Sequence, residues 1–360
     1  MTDDAAEGLV QFDWQAFRHL QTGRIEPGAH LNVIHGRNAA GKTSLLESIH
    51  FLARARSFLT HRSAQLIHRE ARQVTVSGRI RVTGSDHRLG IQHGEGETRV
   101  RLNGQDIHAL SESAWLLPIQ VINTEAQRLL TDSPEVRRAF LNWGVFHVEP
   151  SYRSLWRRYQ KALRQRNAAL RAGDLKLASA WEPEMAVAAE AVHEKRATFL
   201  QTVLTASLGI AEQWLPNVSL NWRYRPGWPA EESLEAVLKS SREREVTQGF
   251  SLYGPHRADF KMIADGIEAE KILSRGQQKL LVAAMRLALV EYWGSTSQPR
   301  PLILIDDLPA ELDAQHRQDL IQRLQTVSAQ VFVTAIEAEQ LPELTNASWF
   351  HVEHGVIKPG

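Results

Sequence analysis

A glycine-rich stretch that ends in a lysine and a hydroxyl residue has the residue types and spacing for phosphate chemistry. Residues 36–44 read GRNAAGKTS and match the pattern G-x-x-x-x-G-K-[ST] in full. The glycines let the backbone wrap closely around phosphate oxygens, and the N-terminus of a following helix adds N–H groups and the positive end of its dipole. We predict that the whole loop binds nucleotide phosphates: Gly36, Arg37, Asn38, Ala39, Ala40, Gly41, Lys42, Thr43 and Ser44.

Within this loop the two reactive side chains have distinct expected roles. Lys42 is predicted to reach the β- and γ-phosphates, and the Thr43 hydroxyl to lie on Mg²⁺. The alternative is a plain glycine turn with a chance Lys-Thr pair. The flanking sequence disfavours that alternative, because an apolar strand pattern at 31–35 precedes the loop and apolar residues at helical spacing follow it.

A second candidate element is an apolar run that ends in two carboxylates. Residues 302–305 are all aliphatic, and Asp306 and Asp307 follow them directly. Such a strand can bring Asp306 to the Mg²⁺ held by a phosphate loop, and Asp307 then stands where a general base would polarise the attacking water. The minor alternative is that the two acids only cap the end of the strand, which is disfavoured in a chain that also has a phosphate loop.

Two further polar features have alternatives that the sequence leaves open. Ser274, Arg275, Gly276 and Gln277 open a helix, where they could bind a γ-phosphate or could simply cap the helix. A chain with a phosphate loop does not need a second such site for the same nucleotide, and the resemblance of this stretch to the signature helix of ABC-type ATPases implies that it completes the site of a second subunit. Gln120 is the one polar residue within a short apolar strand, and a metal with its attacking water is one candidate partner.

The elements that must position these residues are of two kinds. Strand patterns occupy 9–34, 73–108, 116–123, 302–305, 330–334 and 348–358, and helices follow the loop and the 274–277 stretch. Residues 134–240 instead show helical spacing, with long helices expected over 151–171 and about 183–208 as a hairpin. Four prolines and glycines in 216–229 predict an irregular return segment. We predict an α/β fold divided into 1–130, an inserted helical lobe at 131–250, and 251–360.

Basic residues are concentrated in one predicted helix. Residues 151–171 hold seven Lys and Arg and no acidic residue, although the net charge of the chain is only +1. One interpretation is a surface that contacts DNA phosphates, and the other is a solvated face or one paired with acids such as Glu184, Glu190 and Glu194. The candidate DNA contacts are Arg153, Arg157, Lys161 and Arg164, with Arg54, Arg56 and Arg62 near the first helix.

The composition of the chain limits which classes of protein it can belong to. The chain has 360 residues, 43% hydrophobic and 23% charged, as in ordinary globular proteins. There is no cysteine, which fits a reducing compartment. The acidic, polar N-terminus does not resemble a secretory signal, and no run reaches the ~18 apolar residues of a membrane span. We expect a cytoplasmic protein with no membrane contact.

The combination of these motifs resembles the RecF family, recombination-repair ATPases of the SMC-like ABC group. The shared pattern covers nearly the whole length and includes Phe17-Arg18, 32–34, the phosphate loop, 56–58, 118–123, 133–138, 143–147, 165–167, 254–259, 274–277 and 306–313. The resemblance implies an ABC-type ATPase head with a mixed sheet and an inserted helical arm. It implies that Gln120 is the Q-loop residue at metal and water, Asp306 the Walker B metal partner, Asp307 the catalytic carboxylate, and 311–313 the D-loop.

The resemblance also implies a function. RecF proteins are ATP-dependent DNA-binding dimers with weak ATPase activity that work with RecO and RecR in loading recombinase at gaps, on duplex DNA or at junctions of single and double strands. Two departures from general ABC patterns favour slow hydrolysis: Asp307 replaces the usual Glu, and Thr334-Ala335 stands where many ABC ATPases carry a switch His. The competing hypotheses are the motor subunit of a transporter, disfavoured by the large helical block, and a non-hydrolysing interaction module.

Overall fold

The computed structural model describes residues 7–108, 110–296, 299–307, 314–336, 344 and 346–360, without the Ser111 side chain. By internal contacts the chain forms two compact units, one of residues 1–126 together with 290–360 and one of residues 127–289. Residues 251–289, which the sequence analysis joined to the C-terminal part of the head, group with the helical unit. Within the described residues no helix is long and apolar enough to cross a membrane.

The first unit contains an antiparallel sheet of six strands. In chain order they are β1 Gly8–Gln15, β2 Gly23–Ile25, β4 Gln73–Val82, β5 Ser85–Gly94, β6 Glu97–Leu102 and β7 Gln105–Ile107. Their order in the sheet is β2-β1-β4-β5-β6-β7. Buried and half-buried residues alternate along β4, which is the pattern of a sheet with one packed face and one partly solvated face. The predicted meander at 73–108 is therefore confirmed.

The second sheet of this unit is mixed and carries the predicted phosphate-binding edge. Its strands are β3 Leu31–His35, β8 Ile119–Ile122, β12 Leu302–Ile305, β13 Gln330–Ala335, β14 Ala347–Glu353 and β15 Val356–Pro359. They are arranged β15-β14-β3-β13-β12-β8, and all pairs are parallel except the β14–β15 hairpin. Strands β8, β12 and β13 are buried throughout, as near-continuous aliphatic runs require in a parallel sheet.

Among the described residues, two α-helices lie wholly within this unit. Helix α1, Lys42–Arg54, is buried along most of its length and packs on β4, β5 and β13, so it lies between the two sheets. A later helix, Ala314–Thr326 (α10), buries Leu320, Ile321 and Leu324. The sequence analysis expected a helix from residue 311, and residues 311–313 lie outside the described part of the chain.

The second unit is mainly helical. Its helices are α2 Arg128–Thr131, α3 Pro134–Val148, α4 Tyr152–Arg171, α5 Leu175–Ala180, α6 Glu182–Trp214, α7 Leu234–Gln248, α8 Ala269–Ile272 and α9 Arg275–Gly294, the last crossing the unit boundary at residue 290. Helices α4 and α6 pack against each other, as the predicted hairpin requires. Helix α6 extends beyond its predicted end because residues 209–214 keep helical spacing.

A small antiparallel sheet in this unit corrects one prediction. Strands β9 Leu220–Arg225, β10 Asp259–Ala264 and β11 Ile267–Glu268 form it in the order β11-β10-β9. The irregular segment predicted for 216–229 is therefore wrong over its centre. Leu220, Trp222 and Tyr224 alternate with exposed polar residues, and this period of two was the available signal. The flanking prolines bound the strand without interrupting it.

Buried ion pairs connect α4, α6 and α7. Arg166 on α4 is fully buried and contacts Glu182 at 3.0 Å and Glu245 at 2.6 Å. Its Nη1 also donates to the Ser251 hydroxyl at 2.7 Å. Arg242 on α7 forms a second ion pair with Glu182. We call these five residues the arm network; it joins three helices through charges that have little access to water.

Candidate functional site

The predicted phosphate loop has the expected strand–turn–helix geometry. It follows β3 and ends where α1 begins at Lys42. Gly36 and Gly41 have φ of +151° and +126°, which L side chains rarely adopt. A Cβ on Gly36 would lie 2.2 Å from the Val352 carbonyl oxygen, and one on Gly41 would lie 2.8 Å from the Leu20 side chain. Both glycines are therefore required by backbone conformation and by close packing of the loop.

The Lys42 ammonium is held by its own loop. Its Nζ donates to the carbonyl oxygens of Gly36 at 2.6 Å and Arg37 at 3.0 Å. The side chain is buried, and this burial lowers the pKa of Lys42, partly offset by the charges of Asp307 and Asp306. Two neutral backbone acceptors are weak partners for a buried cation compared with an anion. The geometry therefore leaves Lys42 ready to exchange these carbonyls for phosphate oxygens.

Two hydroxyl groups converge on one carboxylate oxygen beside the loop. Thr43 Oγ1 donates to Asp306 Oδ1 at 3.0 Å, and Thr334 Oγ1 donates to the same oxygen at 2.9 Å. Thr334 Oγ1 also accepts a hydrogen bond from the Asp307 N–H at 2.7 Å. Asp307 itself adopts a left-handed backbone with φ of +58°. Thr334 thus connects the Asp306 carboxylate to the backbone N–H of Asp307 at the end of the predicted Walker B strand.

The role of Thr334 in this cluster was not recognised from the sequence. In the sequence analysis Thr334 was mentioned only because it stands near the position where many ABC ATPases carry a switch histidine. Thr334 is fully buried at the end of β13, which pairs with β3 on one side and β12 on the other. The available signal was positional: a hydroxyl residue ends a central parallel strand whose neighbours lead to the phosphate loop and to Asp306.

The cluster has the donor chemistry that a magnesium ion requires. Burial raises the pKa of Asp306, while hydrogen bonds from Thr334 and Thr43 act in the opposite direction. Mg²⁺ prefers oxygen ligands and is usually bound through one or two carboxylates plus substrate phosphates. Thr43 and Asp306 supply such oxygens within hydrogen-bond distance of each other. The described residues contain no group of three or more His, Cys, Asp or Glu that would hold a metal without phosphates.

The register of β8 changes the expectation for Gln120. Gln120 pairs with Ile303, three residues before Asp306, which is about 10 Å along a strand. At the strand end, the Asp306 N–H instead donates to the Ile122 carbonyl at 2.9 Å. The metal and water role of Gln120 stays a prediction, and it would require the side chain to span this distance along the strand. Asn123, which directly follows Ile122, is the polar residue that β8 brings level with Asp306.

A buried glutamate of α1 connects this helix to two residues outside it. Glu47 on α1 has no exposed surface and forms an ion pair with Arg18 that includes a 2.7 Å bond from Arg18 Nη2. The Ser57 hydroxyl donates to the same carboxylate. Arg18 and Ser57 both belong to the motifs shared with the RecF family, and both side chains bind the Glu47 carboxylate. The signal for Glu47 was its position as a lone acid among apolar residues of α1.

The 274–277 stretch lies at the start of α9 with its polar groups accessible. Ser274, Arg275 and Gly276 are exposed. The Ser274 N–H donates to Gln277 Oε1 at 3.0 Å, and the Gln277 N–H donates to Ser274 Oγ at 3.4 Å, a reciprocal capping box. The capping interpretation thus has a geometric basis, and the exposure leaves room for a ligand. The predicted D-loop at 311–313 lies outside the described residues.

Six of the seven basic residues of α4 fall into two groups. Arg158 pairs with Glu184 of α6, and Arg166 belongs to the buried arm network. Four others, the predicted DNA contacts, are half-buried or exposed: Arg153, Arg157, Lys161 and Arg164. The pairing predicted as the alternative therefore applies to part of the helix and leaves a smaller basic face.

The predicted basic residues after α1 also differ among themselves. Arg54 is half-buried in the last turn of α1, and burial and the charge of Arg56 lower its pKa. Arg56 and Arg62 are exposed. A buried guanidinium has fewer donors available to an external ligand, so Arg56 and Arg62 are the more accessible of the three.

Comparison with known proteins places this geometry in a family. Residues 9–358 match the family model described as the RecF/RecN/SMC N terminal domain. The DNA replication and repair protein RecF of Thioalkalivibrio sulfidiphilus is 42% identical over 358 residues, covering 98% of this chain and 99% of that protein.

Two solved structures show the same fold. One, described as the recombination mediator protein RecF-ATP in the RecFOR pathway, superposes with a TM-score of 0.87 at 20% identity and covers 100% of this chain and 99% of that one. An Smc head bound to the C-winged helix domain of ScpA gives 0.62 at 14% identity, covering 98% and 97%. The predicted ABC-type ATPase head with an inserted helical arm is thus confirmed, and the chain belongs to the RecF family of DNA replication and repair proteins.

Proposed function

We propose that the chain is an ATP-dependent DNA-binding protein that dimerises on ATP and hydrolyses it slowly as a release switch. In this proposal it binds duplex or gapped DNA in the cytoplasm and supports recombinase loading with RecO and RecR. The observation that carries the proposal is the cluster of Thr43, Asp306 and Thr334 beside Lys42, whose present partners are two exchangeable carbonyls.

Nucleotide binding follows from what these residues can exchange. The Lys42 ammonium turns from the carbonyls of Gly36 and Arg37 to the β- and γ-phosphates, which are charged acceptors. The N–H groups at the start of α1 face the phosphates along the helix dipole. Thr43 and Asp306 would hold Mg²⁺, which neutralises charge on the β- and γ-phosphates when bound.

Slow turnover is a consequence of the carboxylate geometry. Asp307 acts as the general base toward water, and its side chain is one methylene shorter than the glutamate usual at this position. Its backbone N–H is held by Thr334. The position after Thr334 is Ala335, which cannot take part in proton transfer or hydrogen bonding to a γ-phosphate. Weak, DNA-stimulated ATPase activity is the activity this arrangement favours.

Dimerisation is proposed from the exposed start of α9. In one subunit Ser274, Arg275, Gly276 and Gln277 would contact the γ-phosphate bound by the other, since a single site has no need of a second phosphate loop. Arg56 and Arg62, with Arg54 behind them, and the remaining basic face of α4 are the proposed contacts with the DNA backbone. Such contacts are independent of base sequence and weaken with salt.

The test is the molar mass in solution by light scattering, with ATP, ADP or no nucleotide. Arg275→Ala is expected to bind ATP as a monomer and not to dimerise, while Asp307→Asn is expected to remain dimeric after ATP is added because hydrolysis is lost. Arg244→Ala, an exposed arginine of α7, serves as the matched control and should behave as the parent. Loss of ATP binding by monomeric Arg275→Ala would contradict the action across subunits.

The second candidate function is an interaction module that keeps ATP as a structural ligand. Membership of the RecF family of DNA replication and repair proteins disfavours the transporter motor subunit that the sequence left open. An ATPase assay with and without duplex DNA separates the two remaining functions. Turnover that DNA increases supports the proposed function, and no turnover at all favours the module.

A further inference from the structure

The outer face of the antiparallel sheet in the first unit carries a compact group of arginines. Residues of β4, β5 and β6 alternate between the buried face, where β4 and β5 pack on α1, and a solvated face. The solvated face holds five arginines, and no lysine occurs between residues 73 and 108. We call Arg79, Arg81, Arg88, Arg99 and Arg101 the arginine face.

Cross-strand pairing places these side chains side by side. Arg79 lies directly opposite Arg88, and Arg101 lies opposite Gly90 in the next strand pair. Neighbouring strands are about 4.8 Å apart, and side chains two residues apart on one strand are roughly 7 Å apart. Like charges directly opposite each other destabilise a sheet. The pair of Arg79 and Arg88 is therefore not explained by the stability of the sheet.

The acidic residues on this face, Asp86, Asp106 and Glu97, neutralise only part of the charge of the five arginines. Arg79 and Arg81 share Asp86 at 3.4 and 2.7 Å, and Arg99 and Arg101 share Asp106 at 3.9 and 2.7 Å. Among the described residues Arg88 has no ion pair. Each guanidinium has five N–H donors, so a shared carboxylate leaves most of them free while it limits the rotamers of both side chains. Arg99 and Arg101 stay more than half exposed, at 61% and 57%.

Gly90 lies at the centre of the arginine face and has no internal reason to be glycine. Its φ is outside the left-handed region, and the nearest atoms to a Cβ built there are Ser77 Cβ at 3.9 Å and the Val76 carbonyl at 4.0 Å. Glycine inside a strand weakens the sheet and often marks a position where a ligand approaches the backbone closely. Here Gly90 and Ser77, which pair across the strands, form a low floor between Arg79, Arg88 and Arg101.

We propose that the arginine face is a binding surface for the sugar–phosphate backbone of DNA. Planar guanidinium groups suit phosphate oxygens, and a row of them above a small-residue floor fits a continuous polyanion better than a single small anion. This inference rests on the proposed DNA-binding function and adds a contact surface that neither α4 nor the residues after α1 supply.

The experiment measures binding of the full chain to a fluorescent duplex, with ATP and Mg²⁺, across a range of salt concentrations. The triple variant Arg88→Gln, Arg99→Gln, Arg101→Gln is expected to bind at least about tenfold more weakly and to lower the log–log salt slope by about 2 to 3. The control Arg223→Gln, Arg225→Gln removes two exposed arginines from β9 of the other unit and should stay within about twofold of the parent.

A second variant separates binding from folding. Gly90→Val adds a β-branched side chain that the sheet accommodates, so the melting temperature should stay equal or rise. The same side chain fills the space above Gly90 and should weaken DNA binding about as much as the loss of one phosphate contact. ATP affinity, which depends on the phosphate loop, should be unchanged in both variants.

The possible results are distinct. A parent that does not bind DNA in a salt-dependent way overturns the proposed function and this inference together. A parent that binds, with a triple variant and a Gly90→Val variant that bind equally well, overturns this inference alone. Equal losses in the β9 control and the triple variant would show a general effect of net charge and would also overturn it.

Discussion

Two polar clusters in this protein, the proposed nucleotide pocket (Lys42, Thr43, Asp306 and Thr334) and the arm network, hold their charges with different kinds of partner. In the pocket, Lys42 is bound by two backbone carbonyls and Asp306 by two threonine hydroxyls, all of them neutral groups. In the arm network, Arg166 contacts the carboxylates of Glu182 and Glu245. The hydrogen-bond partners of these charges are therefore neutral in the first cluster, where Lys42 and Asp306 act on each other without a direct bond, and oppositely charged in the second.

The pKa values of Asp306 and Glu182 show the consequence of this difference. Burial raises the pKa of Asp306, because the hydrogen bonds from Thr334 and Thr43 do not compensate the lost hydration. Burial would also raise the pKa of Glu182, but hydrogen bonds and charges from Arg242 and Arg166 outweigh it and lower that pKa. An ionised carboxylate is thus poorly stabilised in the first cluster and well stabilised in the second.

This difference indicates which cluster can accept a ligand. A charge held by neutral backbone groups gains free energy when an ion of opposite sign replaces them. A charge already paired with opposite charge has no such gain, and removal of its partner leaves an uncompensated ion. The pocket is accordingly suited to binding, and the arm network to fixing three helices in one arrangement.

The largest expected effect is on the arm network. Arg166→Met leaves the buried carboxylates of Glu182 and Glu245 without their shared cation and should lower the free energy of unfolding by about 3–5 kcal/mol. Urea denaturation of the full chain measures it. Arg158→Met, which removes an exposed pair with Glu184, is the control and should change stability little.

A double variant sharpens this prediction. Adding Glu245→Leu to Arg166→Met removes one of the stranded charges and should recover part of the loss. If Arg166→Met costs no more than Arg158→Met, the arm network does not have the structural role given to it here.

The next effect concerns ligand binding. Lys42→Ala should weaken ATP binding by about 1.5–3 kcal/mol, because a charge-assisted contact to the phosphates is lost. Its stability without nucleotide should change little, since the ammonium contacts only neutral carbonyls. Calorimetric titration with ATP checks the expected affinity, and thermal unfolding checks the expected stability. Nucleotide affinity equal to the parent's would refute the assignment of the loop.

Thr334→Val tests the hydroxyl that connects the Asp306 carboxylate to the Asp307 backbone N–H. The substitution keeps the shape but leaves the Asp307 N–H without its acceptor, which should cost about 1–2 kcal/mol in Mg²⁺-dependent ATP affinity or in turnover. Thr334→Ser keeps the hydroxyl and should restore most of both. ATP affinity in the presence of a chelator is the matched measurement. A Val variant with unchanged Mg²⁺ dependence would limit Thr334 to packing.

The smallest effect is a gain in stability. Because burial raises the pKa of Asp306 above its unfolded value, the ionised carboxylate destabilises the folded protein at neutral pH. Asp306→Asn should raise the melting temperature of the nucleotide-free protein by a few degrees at pH 7 while it abolishes hydrolysis. The gain should vanish as the pH falls below the unfolded pKa, where Asp306 is protonated in both states. A lower melting temperature at pH 7 would contradict this account.

Local sequence determined the phosphate loop and the strand that ends in Asp306. The loop is nine consecutive residues, so its chemistry, its glycines and its strand and helix neighbours are all visible in order. Parallel strands present their carboxyl ends at one edge of a sheet, and for that reason Thr43 and Asp306 could be expected to meet. The family and fold class followed from the same ordered motifs.

Only the tertiary structure decided the contacts whose residues are far apart in the chain or depend on register. Thr334 reaches Asp306 because β13 lies between β3 and β12, and strand order is not written in any one segment. Gln120 and Asn123 are three residues apart, and only the pairing of β8 with β12 selects the one beside Asp306. Likewise, the charges of Arg158 and Arg166 were visible in the sequence, but their carboxylate partners on α6 and α7 depend on how the helices pack.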